Sequence, residues 1–405
     1  MTPGTQQIYL DHNATSHLLP QAAEAMARVH EARLGNPASP HWAGRKARQI
    51  LEDSRDAIAE FLGARSGSTA ADRVIFTSGG TESNNLALWG LAGPKPAHAI
   101  VSAIEHPSLA GPADELRHRG WVVDLLPVSA TGVIEVEALV DLLRPDTRLV
   151  SLMLANNETG VVQPVARAAE ICASRGIPLH TDAVQAAGKL PIDIAALGVA
   201  ALSASAHKFG GPTGVGLLLV RHEFVLKPLH HGGFQQAGLR PGTEPVALVA
   251  GMHAALACWQ REREAHAARL ASLRDEFEAR LRAGWPELIV NGGAAARLPH
   301  VSNVSFPGLD RQALVMALDL AGVSCSTGSA CASGSSEPSP TLVAMGCSRT
   351  VFDSALRFSL GATTTAAEMA EATDRILKVC NELRAGKLGR KIPLSGRREG
   401  ANLVH

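Results

Sequence analysis

Between residues 74 and 221 the chain alternates short, unbroken apolar runs with stretches of helical periodicity, and nothing else restricts its fold so sharply. The runs are VIFTS (74–78), AIVSAIE (99–105), VVDLLPV (122–128), RLVSLMLAN (148–156), IPLHTDA (177–183), ALSAS (201–205) and VGLLLV (215–220). Helical segments such as TESNNLALWGLAG and VARAAEICASRG separate several of them. A strand without polar alternation must be covered on both faces, and helix-length connections return successive strands in parallel. The pattern predicts an α/β core of roughly 200–250 residues around a mainly parallel seven-stranded sheet.

Beyond this core a long helix is expected from about Val246 to Arg282, with Glu276/Arg280 and Glu278/Arg282 spaced for mutual i,i+4 support. GWPELIVNGG ends it, and mixed strand and helix patterns continue to about Leu383, as expected of a smaller α+β domain. The division expected is a large domain over 15–260, a small one from 1–14 and 261–383, and a Gly-rich basic tail over 384–405.

Lys plus Arg and Asp plus Glu both number 38, so the chain has no net charge to draw it to nucleic acid or a membrane. The N-terminus lacks a basic and then apolar leader, and no apolar run reaches membrane-spanning length; a cytoplasmic protein is expected. Six cysteines are few for this length and show no CxxC pair, which argues against a disulfide framework and a resident zinc site. Cys172 and Cys258 fall in helical patterns and read as packing, whereas Cys331 stands in CSTGSACASGSSEPSP (325–340) with no periodic apolar context.

In open α/β sheets ligands gather at the carboxyl ends of the strands. The first run leads into SGGTESNN, where Gly80 and Thr81 open a helix, and a helix N-terminus behind a Gly-rich turn suits a phosphate. The run at 177–183 delivers Asp182, followed by Gln185, and ALSAS delivers SAHK with Lys208 before a glycine turn. Each has an ordinary reading: a tight turn, a helix cap, a lysine reaching solvent. Together a phosphate cradle, an acid and a lysine are the parts pyridoxal phosphate needs, with the lysine as Schiff-base amine and the acid on the pyridine nitrogen. His106 and Asn157 end two further strands and could stack on the ring and bond its hydroxyl.

These residues belong to a longer series: LDHNAT, GNPASPHWAGRKA, FTSGGTESNNLA, EHPS, NNETGVVQPV, HTDAVQAAGK, SAHKFGGPTGVG, LRPGTE, GSACASGSSEPS and LRFSLG. In this order they resemble the cysteine desulfurases of the NifS/IscS type, in the class V aminotransferase group of fold-type I pyridoxal phosphate enzymes. The resemblance implies that Lys208 links covalently to the cofactor, Asp182 pairs with its nitrogen, Gln185 and Asn157 bind the ring oxygen, and His106 stacks. It assigns the phosphate to Gly80, Thr81, Ser205 and His207, and to Thr243 reaching from the other subunit of a homodimer. Asn36, Asn157 and Arg357 become the substrate-binding set; the alternative for Arg357 is a structural ion pair with an acid such as Asp353. HGGFQQAGLRPGTEP departs from the family pattern at Phe234, Gln236, Ala237 and Pro245.

The resemblance also implies the chemistry of the serine- and glycine-rich run. Lys208 acts as base at the substrate Cα, Cys331 takes the sulfur of L-cysteine as a persulfide, and His106 shuttles a proton near the leaving sulfur. L-Alanine remains, and the sulfur passes to an acceptor, an iron–sulfur scaffold or a similar protein. No resident metal is expected, although Cys331 could ligate a cluster iron during transfer. Gly328, Gly334 and the serines would give Cys331 reach, and Cys325 is the rival thiol, closer to an apolar run. Competing readings are a selenocysteine lyase or cystine-cleaving relative, an aminotransferase using a 2-oxo acid, and a scaffold that kept the fold without the activity.

Overall fold

A computed structural model describes residues 6–67, 70–328 and 337–386. After β1 (Ile8–Tyr9) come the helices α1 (Pro20–Glu31) and α2 (Trp42–Phe61). The large sheet then follows from β2 (Arg73–Thr77), β3 (His98–Ser102), β4 (Val122–Leu126), β5 (Thr147–Met153), β6 (Leu179–Asp182), β7 (Ala201–Ser205) and β8 (Gly216–Val220). Their spatial order is β2-β8-β7-β6-β5-β3-β4. The seven expected runs are these seven strands, three of them (β3, β4 and β5) ending two or three residues early where the chain turns at the carboxyl edge.

Helices α3 (Gly80–Ala92), α4 (Pro107–His118), α5 (Val136–Leu142), α6 (Val165–Ala173) and α7 (Ile194–Leu197) connect the strands. β3 through β7 pair in parallel. β8 is antiparallel to β7 and to β2, because the chain between β7 and β8 is too short for a crossover. β2 therefore runs the same way as β7, and every strand but β8 ends on one edge. β3, β7 and β8 are buried at every position, which is why they show no polar alternation.

Helix α8 (Val246–Gly284) spans two cores. Val249, Met252, Ala255 and Leu256 pack with the large sheet. Leu270, Leu273, Phe277 and Leu281 enter a second cluster with Ile8, Leu10, Phe306, Phe358 and Ile376. That cluster lies among β1, β9 (Ile289–Val290), β10 (Val301–Ser305), α9 (Arg311–Leu320), β11 (Val323–Ser324), β12 (Ala355–Ser359) and α12 (Ala366–Arg384). Two short helices, α10 (Pro340–Ala344) and α11 (Arg349–Phe352), precede β12. The second sheet is antiparallel in the order β12-β10-β9, while β1 pairs in parallel with β11.

The i,i+4 pairs expected on α8 do not form. Glu278 lies on the buried face, where it accepts from Arg297 at 2.8 Å and 3.1 Å and from Ser302 Oγ at 2.8 Å. Arg280 instead reaches Asp374 on α12 at 2.8 Å. Partners on packed neighbours outcompete partners along the helix.

Candidate active site

The strand ends enclose a cavity of about 260 Å³, lined among others by Gly80, Thr81, His106, Asn157, Asp182, Gln185, Ser205, His207 and Lys208. These are the expected cofactor residues from β2, β3, β5, β6 and β7. β4, at the sheet edge, sends none.

Asp182 is fixed on both oxygens. Oδ1 accepts from the Val184 N–H at 2.8 Å, and Oδ2 accepts from Asn84 Nδ2 at 2.7 Å. Asn84 Nδ2 also donates to Ser108 Oγ at 2.9 Å, which leaves that hydroxyl to donate to His106 Nδ1 at 2.8 Å. His106 Nδ1 is the N-terminal cap of α4 as well, accepting from the Ser108 N–H at 3.1 Å. Burial pushes the His106 imidazole below its ordinary value, with Asp182 opposing. The neutral ring therefore carries its proton on Nε2. Asn84 and Ser108 have no role in the sequence reading; both sit inside quoted motifs, TESNN and EHPS, which is the one available hint.

Lys208 follows β7 in a single 3₁₀ turn, and its Nζ donates to the carbonyls of Asn13 at 2.6 Å and Ala14 at 2.9 Å. Gln185 Nε2 donates to the same Asn13 carbonyl at 3.1 Å, and Lys189 Nζ donates to Gln185 Oε1 at 3.3 Å. Lys189 thereby fixes which end of the Gln185 amide is donor. Burial, then Lys208 and Arg357, push the Lys189 amine well below its ordinary value.

Pyridoxal phosphate fits the cavity on three observations. No side chain caps α3, so its first N–H groups remain for an anion. A Cβ at Gly80 would stand 2.8 Å from Val184 Cγ2, so only glycine leaves this approach open. Ser205 Oγ is buried at the cavity wall without a hydrogen-bond partner, a donor a phosphate oxygen would satisfy. Burial, with the Lys208 and Lys189 charges, lowers the His207 imidazole at the same wall to about 4.

Other expected site residues lie outside the cavity wall. Asn36 is exposed, its Oδ1 accepting from the Ala38 N–H at 2.9 Å. Thr243 is exposed just before α8. Arg357 is buried, with its ion pair to Asp11 at 2.8 Å, whereas Asp353 pairs with Arg349. Arg357 Nη1 donates to the carbonyls of Asn157 at 3.0 Å and Gly328 at 2.7 Å, and its Nε has no partner. Cys331 and Gly334 lie outside the described residues, as does the tail from residue 387. Cys325 follows β11, and burial with the Asp11 charge pushes its thiol far above the ordinary value.

Residues 8–371 match the family model of the class-V aminotransferases, and the chain belongs to that family. Cysteine desulfurase IscS of Dictyoglomus turgidum is 39% identical over 382 residues, 94% of this chain and 96% of that relative. The IscS-like cysteine desulfurase of Mycobacterium tuberculosis is 40% identical over 376 residues, 90% of this chain and 94% of its own length. The solved structure of a NifS-like protein from Rickettsia africae superposes with a TM-score of 0.84 at 30% identity, over 93% of this chain and 100% of that one. Within the family the chain has the IscS-like function of a cysteine desulfurase, with pyridoxal phosphate as cofactor. Among the described residues no helix is long and apolar enough to cross a membrane.

Proposed function

We propose that this desulfurase takes the sulfur of L-cysteine onto Cys331 as a persulfide and passes it to an acceptor protein, an iron–sulfur scaffold in the first instance. The observation that carries this reading is the position of Gly328. Arg357 Nη1 ties its carbonyl to that of Asn157, which lines the cavity, so the chain enters the Cys331 segment beside the site. Cys331 is three positions along the chain from Gly328, a reach of at most roughly 10 Å. The rival thiol, Cys325, is held protonated by burial and is a poor nucleophile.

Lys208 would hold the cofactor through its amine and would act as the base at the substrate Cα. Asp182, oriented by Asn84 and the Val184 N–H, would hold the pyridine nitrogen, Gln185 and Asn157 the ring oxygen, and Gly80, Thr81, Ser205 and His207 the phosphate. When bound, pyridoxal phosphate supplies the electron sink for the pair released at Cα. Arg357, with its unpaired Nε, and Asn36 hold the substrate carboxylate. The Cys331 thiolate attacks the substrate sulfur, the C–S pair stays with carbon, and protonation there leaves L-alanine and the persulfide. His106 Nε2 moves the proton at the departing sulfur. A homodimer, in which the exposed Thr243 completes the neighbouring site, and a cytoplasmic setting belong to the same reading. So does the division into a cofactor unit over 15–260 and a smaller unit over 1–14 and 261–383, supported by the second buried cluster, whose members all fall in the smaller unit.

The test is incubation with L-cysteine and a reductant. The wild-type holoenzyme should release alanine and sulfide in equal amounts, and Cys331→Ala should release neither while keeping its cofactor absorbance. Turnover by Cys331→Ala would refute the assignment and favour a selenocysteine lyase type of chemistry.

A further inference from the structure

The turn after β5 serves two places. Asn157 lines the cavity, and the next residue, Glu158, does not; its side chain is buried elsewhere, at 3% exposure. Glu158 Oε2 accepts a 2.5 Å hydrogen bond from Ser339 Oγ. Gly328 lies beside the same oxygen with no room for a side chain, since a Cβ built there, at φ +123°, would stand 2.5 Å from it. Gly328 and Ser339 flank the segment that contains Cys331, so one carboxyl oxygen touches both of its ends. Two arginines hold the same ends: Arg357 through the Gly328 carbonyl at 2.7 Å, and Arg311 through the Glu337 carbonyl.

The backbone of Glu158 is equally fixed. Its N–H donates to Asn156 Oδ1 at 2.9 Å, and its carbonyl accepts from Asn303 Nδ2 at 3.3 Å. A buried carboxyl is costly unless its bonds are made. Burial raises Glu158 above the ordinary carboxylate range, while Ser339 and Arg357 oppose that rise. No step of the reaction uses this group, yet its contacts go to the two ends of the segment that does.

We propose that Glu158 is a positioning residue for sulfur transfer: its carboxyl pins Gly328 and Ser339 to the turn that carries Asn157, and so sets where the Cys331 thiol is delivered. The inference rests on Cys331 being the nucleophile. Its physical content is entropic and geometric. Releasing one end multiplies the positions open to the thiol, and a misplacement of about 1 Å can cost on the order of a hundredfold in rate.

The experiment uses full-length holoenzyme, mixed with L-cysteine without reductant and quenched, so that alanine released per site reports one sulfur transfer. Cysteine binding is read separately from the change in cofactor absorbance. Glu158→Ala should keep cofactor occupancy and cysteine affinity while the single-turnover rate falls by roughly ten- to a hundredfold. Glu158→Gln keeps an acceptor for Ser339 and should recover most of the rate. Ser339→Ala, which also removes the cap of α10 that accepts from the Leu342 N–H at 3.1 Å, should lose at least as much, and the double variant Glu158→Ala/Ser339→Ala no more than Ser339→Ala, since the contact between the two is already gone. If Glu158→Ala does not fold, Glu158→Gln and Ser339→Ala decide the matter. A wild-type single-turnover rate in Glu158→Ala, or a loss shared equally by cysteine affinity, would overturn the inference. Cys331→Ala is run beside them: if it still releases alanine, the nucleophile assignment fails first, a different result from an active Glu158→Ala beside an inactive Cys331→Ala.

Discussion

Asn84 Nδ2 lies 2.7 Å from Asp182 Oδ2 in a fully buried contact, joining the start of α3 to the end of β6. The same nitrogen steers Ser108, and through it the His106 ring. One amide thus orients two groups of the cavity wall. Asn84→Ala would leave a buried carboxylate short of a donor, a loss of about 1–3 kcal/mol. The expected result is cofactor affinity weaker by about tenfold or more, read by titrating pyridoxal phosphate into the apoprotein. Unchanged affinity would remove Asn84 from the site.

Lys208 is one of two lysines at this site; Lys189 is the other, buried behind Gln185. Borohydride reduction of the holoenzyme followed by peptide mapping should label Lys208 alone. Label on Lys189 would reverse their roles, and with it the assignment of the base.

The two candidate thiols, Cys325 and Cys331, invite a direct comparison. Cys325→Ala should keep desulfurase turnover within about twofold of wild type, because burial holds that thiol protonated and away from exchange. Loss of turnover in Cys325→Ala with normal cofactor absorbance would move the nucleophile from 331 to 325.

Much of this site is legible without coordinates, and the reason is local. The seven strands declare themselves by unbroken apolar runs; Asp182 ends one of them, and Gly80, His106, Asn157 and Lys208 each stand just past another. What could not be read depends on partners distant in the chain. Asn84 meets Asp182 across the sheet, and Glu158 meets Ser339. Glu278 turns to Arg297 rather than to its own helix. Periodicity reports which face of an element is apolar, and says nothing of which distant polar group a buried side chain will find.

Gln236 is a further case. β2 is an edge strand, and Gln236 accepts from the Phe76 N–H at 2.6 Å and donates to the Phe76 carbonyl at 2.8 Å, doing for the edge what another strand would do. Gln236 and Ala237 both adopt left-handed backbone, at φ 52° and 58°. Gln236→Ala should lower stability by about 1–3 kcal/mol. Ala237→Gly should raise Tm by about 1–2 °C, because relief of the left-handed strain exceeds the added freedom of the unfolded chain. Thermal denaturation of the two variants checks both signs, and a lower Tm for Ala237→Gly would contradict the strain argument.

Glu105 gives the pH dependence. Oε1 accepts from Ser102 Oγ at 2.5 Å and from the Met153 N–H at 2.7 Å, while Oε2 is buried without a partner. Burial, with the Asp182 charge adding to it, raises the carboxyl from 4.5 to about 8. The folded protein therefore keeps a proton that the unfolded chain releases between pH 4.5 and about 8. Because the folded state binds more protons across that window, its stability falls as pH rises through it and levels off above, a cost on the order of a few kcal/mol. Glu105→Gln retains the acceptor for Ser102 and Met153 and cannot ionise. It should flatten this contribution and make the variant more stable than wild type above pH 8, and denaturant titrations at several pH values would show parallel curves for the two proteins if Glu105 were not the group responsible.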